Sequence, residues 1–199
     1  MAKSPGKARA HLGLGTAMVR RGALVAAVAE FGTGLSLVGP DAPALEVALL
    51  HNLGGALIRL GRGQEAMGPL RRALEIDPTN PRTPQSLAVA LWNMRDLDGA
   101  EAAARSVLAR APENGLALRI MGLVLLARDD DARAIPFLER AARADPTDAS
   151  LHFNLGGAYA GMGRTSEACA AWRAVLRLRA TDEVRAQARQ NLALLQCPP

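Results

Sequence analysis

Aromatic side chains are scarce in this 199-residue chain, at 3% against 49% apolar residues overall. A core built on large rings is therefore excluded, and Ala, Leu, Val and Gly must fill it. Such small side chains suit close helix–helix approach, whereas strands favour β-branched and aromatic residues. Lysine is nearly absent: Lys3 and Lys7 are the only two, and every later basic residue is Arg. That skew fits a GC-rich genome better than a phosphate-binding surface, although Arg does bind phosphate well. Cysteine is limited to Cys169 and Cys197, with no CxxC pair. From sequence this spacing indicates neither a disulfide framework nor a zinc site, and it fits a reducing compartment, most simply a bacterial cytoplasm. Long hydrophobic runs are missing too. The best candidate, residues 22–38, carries Glu30 at its middle and is weakened by Gly32 and Gly34, which excludes a spanning helix.

The net charge of +5 is confined to one end. Residues 1–21 hold Lys3, Lys7, Arg9, Arg20 and Arg21 and no acid, while residues 22–199 hold 19 Arg and 19 Asp plus Glu. The body of the chain is balanced, so the overall charge says little about its ligand.

What is present is a repeat with a period of 34 positions. Pro78, Pro112 and Pro146 follow it, as do Gly54, Ala88, Gly122 and Gly156, and Ala66, Ala100, Ala134 and Ala168. Two further series are Leu70, Ala104, Leu138 and Trp172, and Ala73, Val107, Ala141 and Val175. Each unit reads as two helices. In the first, Leu50, Leu53 and Leu57 share a face, and Gly61-Arg62-Gly63 breaks the pattern. A second helix runs from about Gln64 to Ile76, where Asp77-Pro78 ends it. The small residues at Gly54 and Ala66 allow the helices of a pair to cross closely. Thr83 is expected to cap the first helix of the second repeat, with Pro84 at its first helical position.

Residues 47–80, 81–114, 115–148 and 149–182 resemble four consecutive tetratricopeptide repeats. The last matches the pattern best, through Ala149–Tyr159, Gly163, Glu167-Ala168 and Trp172. The resemblance implies an all-α fold, a right-handed α-solenoid of antiparallel helix pairs, and a ligand surface lined by the first helix of each pair. With the places of each repeat numbered 1–34, places 2, 5, 9, 12 and 13 point into that groove in the family. Carried over, they give His51, Ile58, Arg59, Arg82, Gln85, Val89, Trp92, Asn93, Arg119, Leu123, Leu126 and Phe153 among the lining residues. The lining holds three arginines and no acid, and its apolar members mark an interaction surface. It departs from the family's carboxylate clamp, because His51 and Gly55 stand where Lys and Asn are wanted. The asparagine series at place 6 is incomplete as well: Asn52 and Asn154 fit, Ser86 and Ile120 do not.

Outside the four repeats, residues 1–46 are read as a basic tail (1–6) and a degenerate helical pair. Leu12-Gly13 and Arg20-Arg21-Gly22 echo Leu53-Gly54 and Gly61-Arg62-Gly63 at a shift of 41 positions. The rival reading is a secretory signal over residues 1–40, with Arg20-Arg21 before the apolar run. Residues 183–199 form a capping helix whose Val184, Ala188, Leu192 and Leu195 share a stripe, with Arg185 and Arg189 facing water.

No catalytic constellation emerges. His152 falls at a core-facing place, and His51 at a groove place where contact with a partner is open to it. Asp129-Asp130-Asp131 sits in an inter-helix turn, where acids favour the start of the next helix. No metal pair or phosphate loop is present, and neither cofactor nor enzymatic activity is expected. The expected function is a protein–protein interaction scaffold, cytoplasmic or else exported, whose partner supplies apolar anchors and an acidic residue. The alternative is a self-associating structural module. A third reading, an RNA or membrane-surface role through the basic N-terminal segment, is disfavoured, and for RNA the absence of stacking aromatics there weakens it.

Overall fold

The computed structural model describes residues 3–198. Among them lie eleven α-helices and no strand. The chain divides into two compact units at residues 103 and 104. The first holds α1 (Pro5–Arg20), α2 (Leu24–Leu37), α3 (Pro43–Arg59), α4 (Gly63–Ile76) and α5 (Arg82–Asn93). Helix α6 (Leu97–Arg110) carries the chain across the division. The second holds α7 (Gly115–Leu126), α8 (Asp131–Ala144), α9 (Ala149–Gly161), α10 (Thr165–Arg177) and α11 (Asp182–Leu194). Within each unit consecutive helices pack on one another, and first helices also touch across pairs: α1 on α3, α3 on α5, α7 on α9 and α9 on α11.

The turns within pairs repeat as faithfully as the sequence. Gly61, Arg95, Asp129 and Gly163 recur at the repeat period, and all four adopt positive φ, between 57° and 75°. In each, the next N–H reaches a carbonyl five residues back, as from Arg62 to Leu57 and from Asp130 to Leu125. This is a Schellman end, which satisfies the last carbonyls of the first helix and reverses the chain. Gly22 makes the same turn after α1, with Ala23 N–H bonded to Met18.

Inside four of the five pairs a glycine of the first helix lies under a large side chain of the second. A methyl placed on Gly54 would stand 2.6 Å from Leu70, and one on Gly122 would stand 2.5 Å from Leu138. Gly156 lies likewise beneath Trp172, whose indole N–H donates to the Phe153 carbonyl at 3.2 Å. Gly15 and Phe31 repeat the arrangement in α1 and α2, with a methyl on Gly15 2.5 Å from the ring. The second repeat carries Ala88 and Ala104 at these two positions, both buried.

Several sequence expectations need correction. The N-terminal pair aligns with the next at a shift of 39, not 41: Gly15, Gly22 and Phe31 occupy the roles of Gly54, Gly61 and Leu70. Gly13 faces open space and packs nothing. Residue-type matching aligned the wrong glycine because only packing tells a buried glycine from an exposed one. Met1 and Ala2 of the expected tail lie outside the described residues; Lys3 donates to the Ser36 carbonyl, Ser4 N–H to that of Leu37, and α1 begins at Pro5. Thr83 is not the cap of α5. The helix already starts at Arg82, whose N–H is accepted by Asn80 Oδ1 at 2.9 Å, and Thr83 is wholly buried with its hydroxyl unpartnered. His152 is half-exposed, with a ring nitrogen 3.1 Å from the Pro146 carbonyl, because that loop acceptor draws it out of the core. Arg185 turns back to bond the Leu178 carbonyl at 3.0 Å rather than facing water. Its helix is capped by Thr181, which accepts from Val184 N–H, and it buries Ala188 and half-buries Val184 and Leu192.

The cysteines are the largest correction. Cys169 on α10 and Cys197 beyond α11 are joined by a disulfide, with Cα atoms 5.8 Å apart. The antiparallel return of α11 over α10 brings together residues whose spacing carries no motif. The bridge spans a sequence separation of 28 and ties the end of α11 to the last pair.

Two stability outcomes follow. Gly122→Ala should cost about 1–3 kcal/mol in chemical denaturation, and the double variant Gly122→Ala/Leu138→Ala should cost measurably less than the sum of its singles; additivity would show that no steric lock exists. Cys197→Ser should lower stability by roughly 3–4 kcal/mol on the loop-entropy scale. Hydrogen exchange should then show α11 losing protection before α10, whereas uniform loss would contradict a local tether.

Candidate functional site

The residues expected to bind fall into two sets, one in each unit. In the first unit, α3 carries His51, Ile58 and Arg59, and the neighbouring α5 carries Arg82, Gln85, Val89, Trp92 and Asn93. In the second, α7 carries Arg119, Leu123 and Leu126, and its neighbour α9 carries Phe153. The apolar members Ile58, Val89, Trp92, Leu123, Leu126 and Phe153 are all half-buried. Ile58 borders the core around Leu57 and Leu70, and Leu126 and Phe153 border the core of the second unit. They pack with one edge and present the other. Trp92 also holds the Arg95 guanidinium 5.8 Å from its ring centre, within reach of a cation–π attraction.

The three arginines differ in what holds them. Arg119 lies 3.6 Å from the Asp148 carboxylate, so the lining of the second unit supplies its own acid. Sequence position alone missed this, because Asp148 comes from the loop before α9 and not from a groove-facing place. Arg59 donates to the Val19 carbonyl at the end of α1, 3.3 Å away. Arg82 is exposed and has no ion-pair partner among the described residues.

Arg82 also edges a cavity of about 420 Å³ in the first unit, lined by both α3 and the α4–α5 loop. Val47, Ala48 and Ile76 form apolar wall, and His51, Asp77, Asn80 and Arg82 supply polar groups. The His51 side chain is half-buried, and its Nδ1 is enclosed without a partner. Burial, with the Arg82 charge adding to it, lowers the His51 pKa below its ordinary 6.5. Asp77 is held below the usual carboxylate range chiefly by the Thr79 hydroxyl, 2.7 Å away, and by the Thr79 N–H. Asn80, Asp77, Val47 and Ile76 were not among the sequence candidates. Their one signal was Asn80 at place 34, where the third repeat has Asp148.

Among the described residues no group of His, Cys, Asp and Glu has the arrangement to hold a metal ion. The acids of the Asp129–Asp131 turn serve the helix instead: Asp130 caps α8 by accepting from Arg133 N–H at 3.1 Å. Among the described residues no helix is long and apolar enough to cross a membrane.

Paired helices with a Schellman turn in every repeat define an α-helical hairpin repeat protein. The comparisons with known proteins agree in detail. Tetratricopeptide-repeat models match residues 47–76, 86–149 and 149–182, and the chain belongs to the tetratricopeptide repeat family. Its fold is similar to that of TTC0263, a thermophilic TPR protein in Thermus thermophilus, at 21% identity and a TM-score of 0.72, covering 94% of this chain and 99% of that one. It is similar to MamA 41-end from Desulfovibrio magneticus RS-1 at 21% identity and a TM-score of 0.72, covering 87% and 95%. It is also similar to PilF of Pseudomonas aeruginosa at 15% identity and a TM-score of 0.76, covering 95% and 88%. At such identities these likenesses concern the fold alone. No curated protein matches the sequence.

The state of His51 is directly measurable. A histidine kept neutral by burial favours the folded state above the unfolded pKa of 6.5, and that contribution is lost as pH falls through its lowered folded value. Stability should therefore decline as pH drops below about 6.5, and His51→Gln should flatten that part of the profile. Arg82→Gln should raise the His51 pKa in an NMR titration; no change would mean that Arg82 does not act on the ring.

Proposed function

We propose that this chain is a scaffold that holds an extended or helical segment of a protein partner against the first helices of its repeats. Tetratricopeptide repeats are protein-interaction modules, and the lining residues decide what each one takes. The observation that carries the reading is the row of half-buried apolar side chains, Ile58, Val89 and Trp92 in one unit and Leu123, Leu126 and Phe153 in the other. Faces that had only to meet water would not hold three of them in each unit, and such side chains are the usual anchors for an amphipathic segment. Arg82 is the cation left to meet an acid on the partner. The chain acts as a scaffold without catalytic chemistry of its own.

Self-association is the second reading. It rests on Val25 of α2, 70% exposed, and Leu194 of α11, 72% exposed, on helices near the two ends of the chain. The Cys169–Cys197 bridge bears on location. A disulfide persists in an oxidising compartment, which favours the exported alternative over the cytoplasmic one.

Affinity capture with wild type beside Trp92→Ala and Arg82→Glu tests the partner reading. Loss of a central aromatic anchor should weaken capture by about 2 kcal/mol or more, roughly 30-fold, with the circular-dichroism melt unchanged. Capture that survives both substitutions would overturn it, and a mass in light scattering that rises with concentration would favour self-association.

A further inference from the structure

The two units contain the same cavity in two states of completion. In the second, a cavity of about 390 Å³ is lined by Gly115, Leu116, Arg119, Asp145, Asp148 and their neighbours. Most of its lining residues stand 68 positions, two repeats, after those of the first cavity. Arg119 corresponds to His51, Asp145 to Asp77 and Asp148 to Asn80. In both, the acid at place 31 is tied to the threonine that follows its proline: Asp145 to Thr147, and Asp77 to Thr79, each hydroxyl at 2.7 Å. In both, the residue at place 34 accepts from an N–H at the start of the next helix, Asp148 from Ser150 and Asn80 from Arg82, each at 2.9 Å.

They differ in charge. Asp148 has a second carboxylate oxygen, which faces the Arg119 guanidinium at 3.6 Å. The second cavity thus contains a cation and a carboxylate supplied by the chain. In the first, Asn80 brings no such oxygen, the cation is Arg82 from the start of α5, and the histidine has a buried nitrogen with nothing bonded to it. The one acid present, Asp77, is already engaged by Thr79. A buried polar atom without a partner is costly, and an incoming oxygen would relieve it.

We propose that the first cavity is a receptor for a carboxylate on a short aliphatic arm, which brings the negative charge that Asp148 supplies from within in the second unit. The carboxylate meets Arg82 and gives His51 the partner that the chain withholds, while Val47, Ala48 and Ile76 cover the methylenes. A volume of about 420 Å³ is in the range of small-ligand pockets. A glutamate side chain of a bound protein segment and a free small dicarboxylic acid share this chemistry. The first source rests on the partner reading above; the site itself does not.

The test is an NMR titration of the intact chain, following the Val47 and Ile76 methyls and the His51 ring. The probes are blocked Leu-Glu-Leu, blocked Leu-Gln-Leu and glutarate. Leu-Glu-Leu should shift all three signals saturably. Leu-Gln-Leu, and Leu-Glu-Leu added to Arg82→Gln, should bind about tenfold or more weakly, the scale of a lost charge-assisted hydrogen bond. Arg82 is exposed, so an unchanged amide spectrum should certify that variant as folded. Glutarate binding as tightly as the peptide supports the site with a free acid as its ligand; weaker glutarate binding supports it with a peptide acid. Equal binding of the Glu and Gln peptides, full binding to Arg82→Gln, or no saturable shift overturns the proposal. Shifts confined to Val89 and Trp92 overturn the cavity while leaving the partner reading intact. A responsive cavity with capture indifferent to Trp92→Ala does the reverse.

Discussion

A glycine on one helix, pressed under a large side chain of the next, sets the distance between the two helices of a pair. Gly15 under Phe31, Gly54 under Leu70, Gly122 under Leu138 and Gly156 under Trp172 repeat the contact four times. Its physical basis is steric: with no Cβ on one helix, the other can seat a bulky residue directly on the backbone. Because each pair is a template for the next, a displacement in one would be passed to its neighbours within the unit. Within each unit the first-helix faces are held together in this way, and the half-buried apolar side chains along them depend on it. A chain so poor in aromatics uses two of its few large rings, Phe31 and Trp172, in this way.

The charges show a similar economy. The arginine at place 5 of the third repeat is met by Asp148 from a loop, so it stabilises a junction rather than offering itself to a partner. Arg59 bonds the open end of α1, where a cation complements the carbonyls of a helix C-terminus. Arg82 remains, beside a neutral histidine in a cavity with apolar walls. The repeats look alike in sequence, yet the first unit has an exposed arginine with no ion-pair partner among the described residues where the third repeat has a paired one.

At the C-terminus, α11 closes the last pair through Ala188, Val184 and Leu192, and Cys197 fastens it to α10. Most of its remaining surface is polar, Leu194 being the exposed apolar exception. The N-terminal pair is secured differently, by the Gly15–Phe31 contact and by Leu49 of α3 seated against Gly34.

By itself the sequence determined the all-α class, the family and the period of the repeat. These rest on local preferences and on residue types that recur wherever one geometry recurs: Pro78, Pro112 and Pro146 after the second helices, and small residues at each crossing. The expectation of a ligand face on the first helices rests on the family resemblance and not on contacts. Only the tertiary structure decided which glycine of the N-terminal segment is buried, since Gly13 and Gly15 are alike until a ring covers one of them. Only it could pair Cys169 with Cys197, seat Asp148 against Arg119, draw His152 toward Pro146, and gather His51, Asn80 and Arg82 around one cavity. Each of these joins residues from different helices or loops, and no period along the chain encodes which side chains will meet across that space.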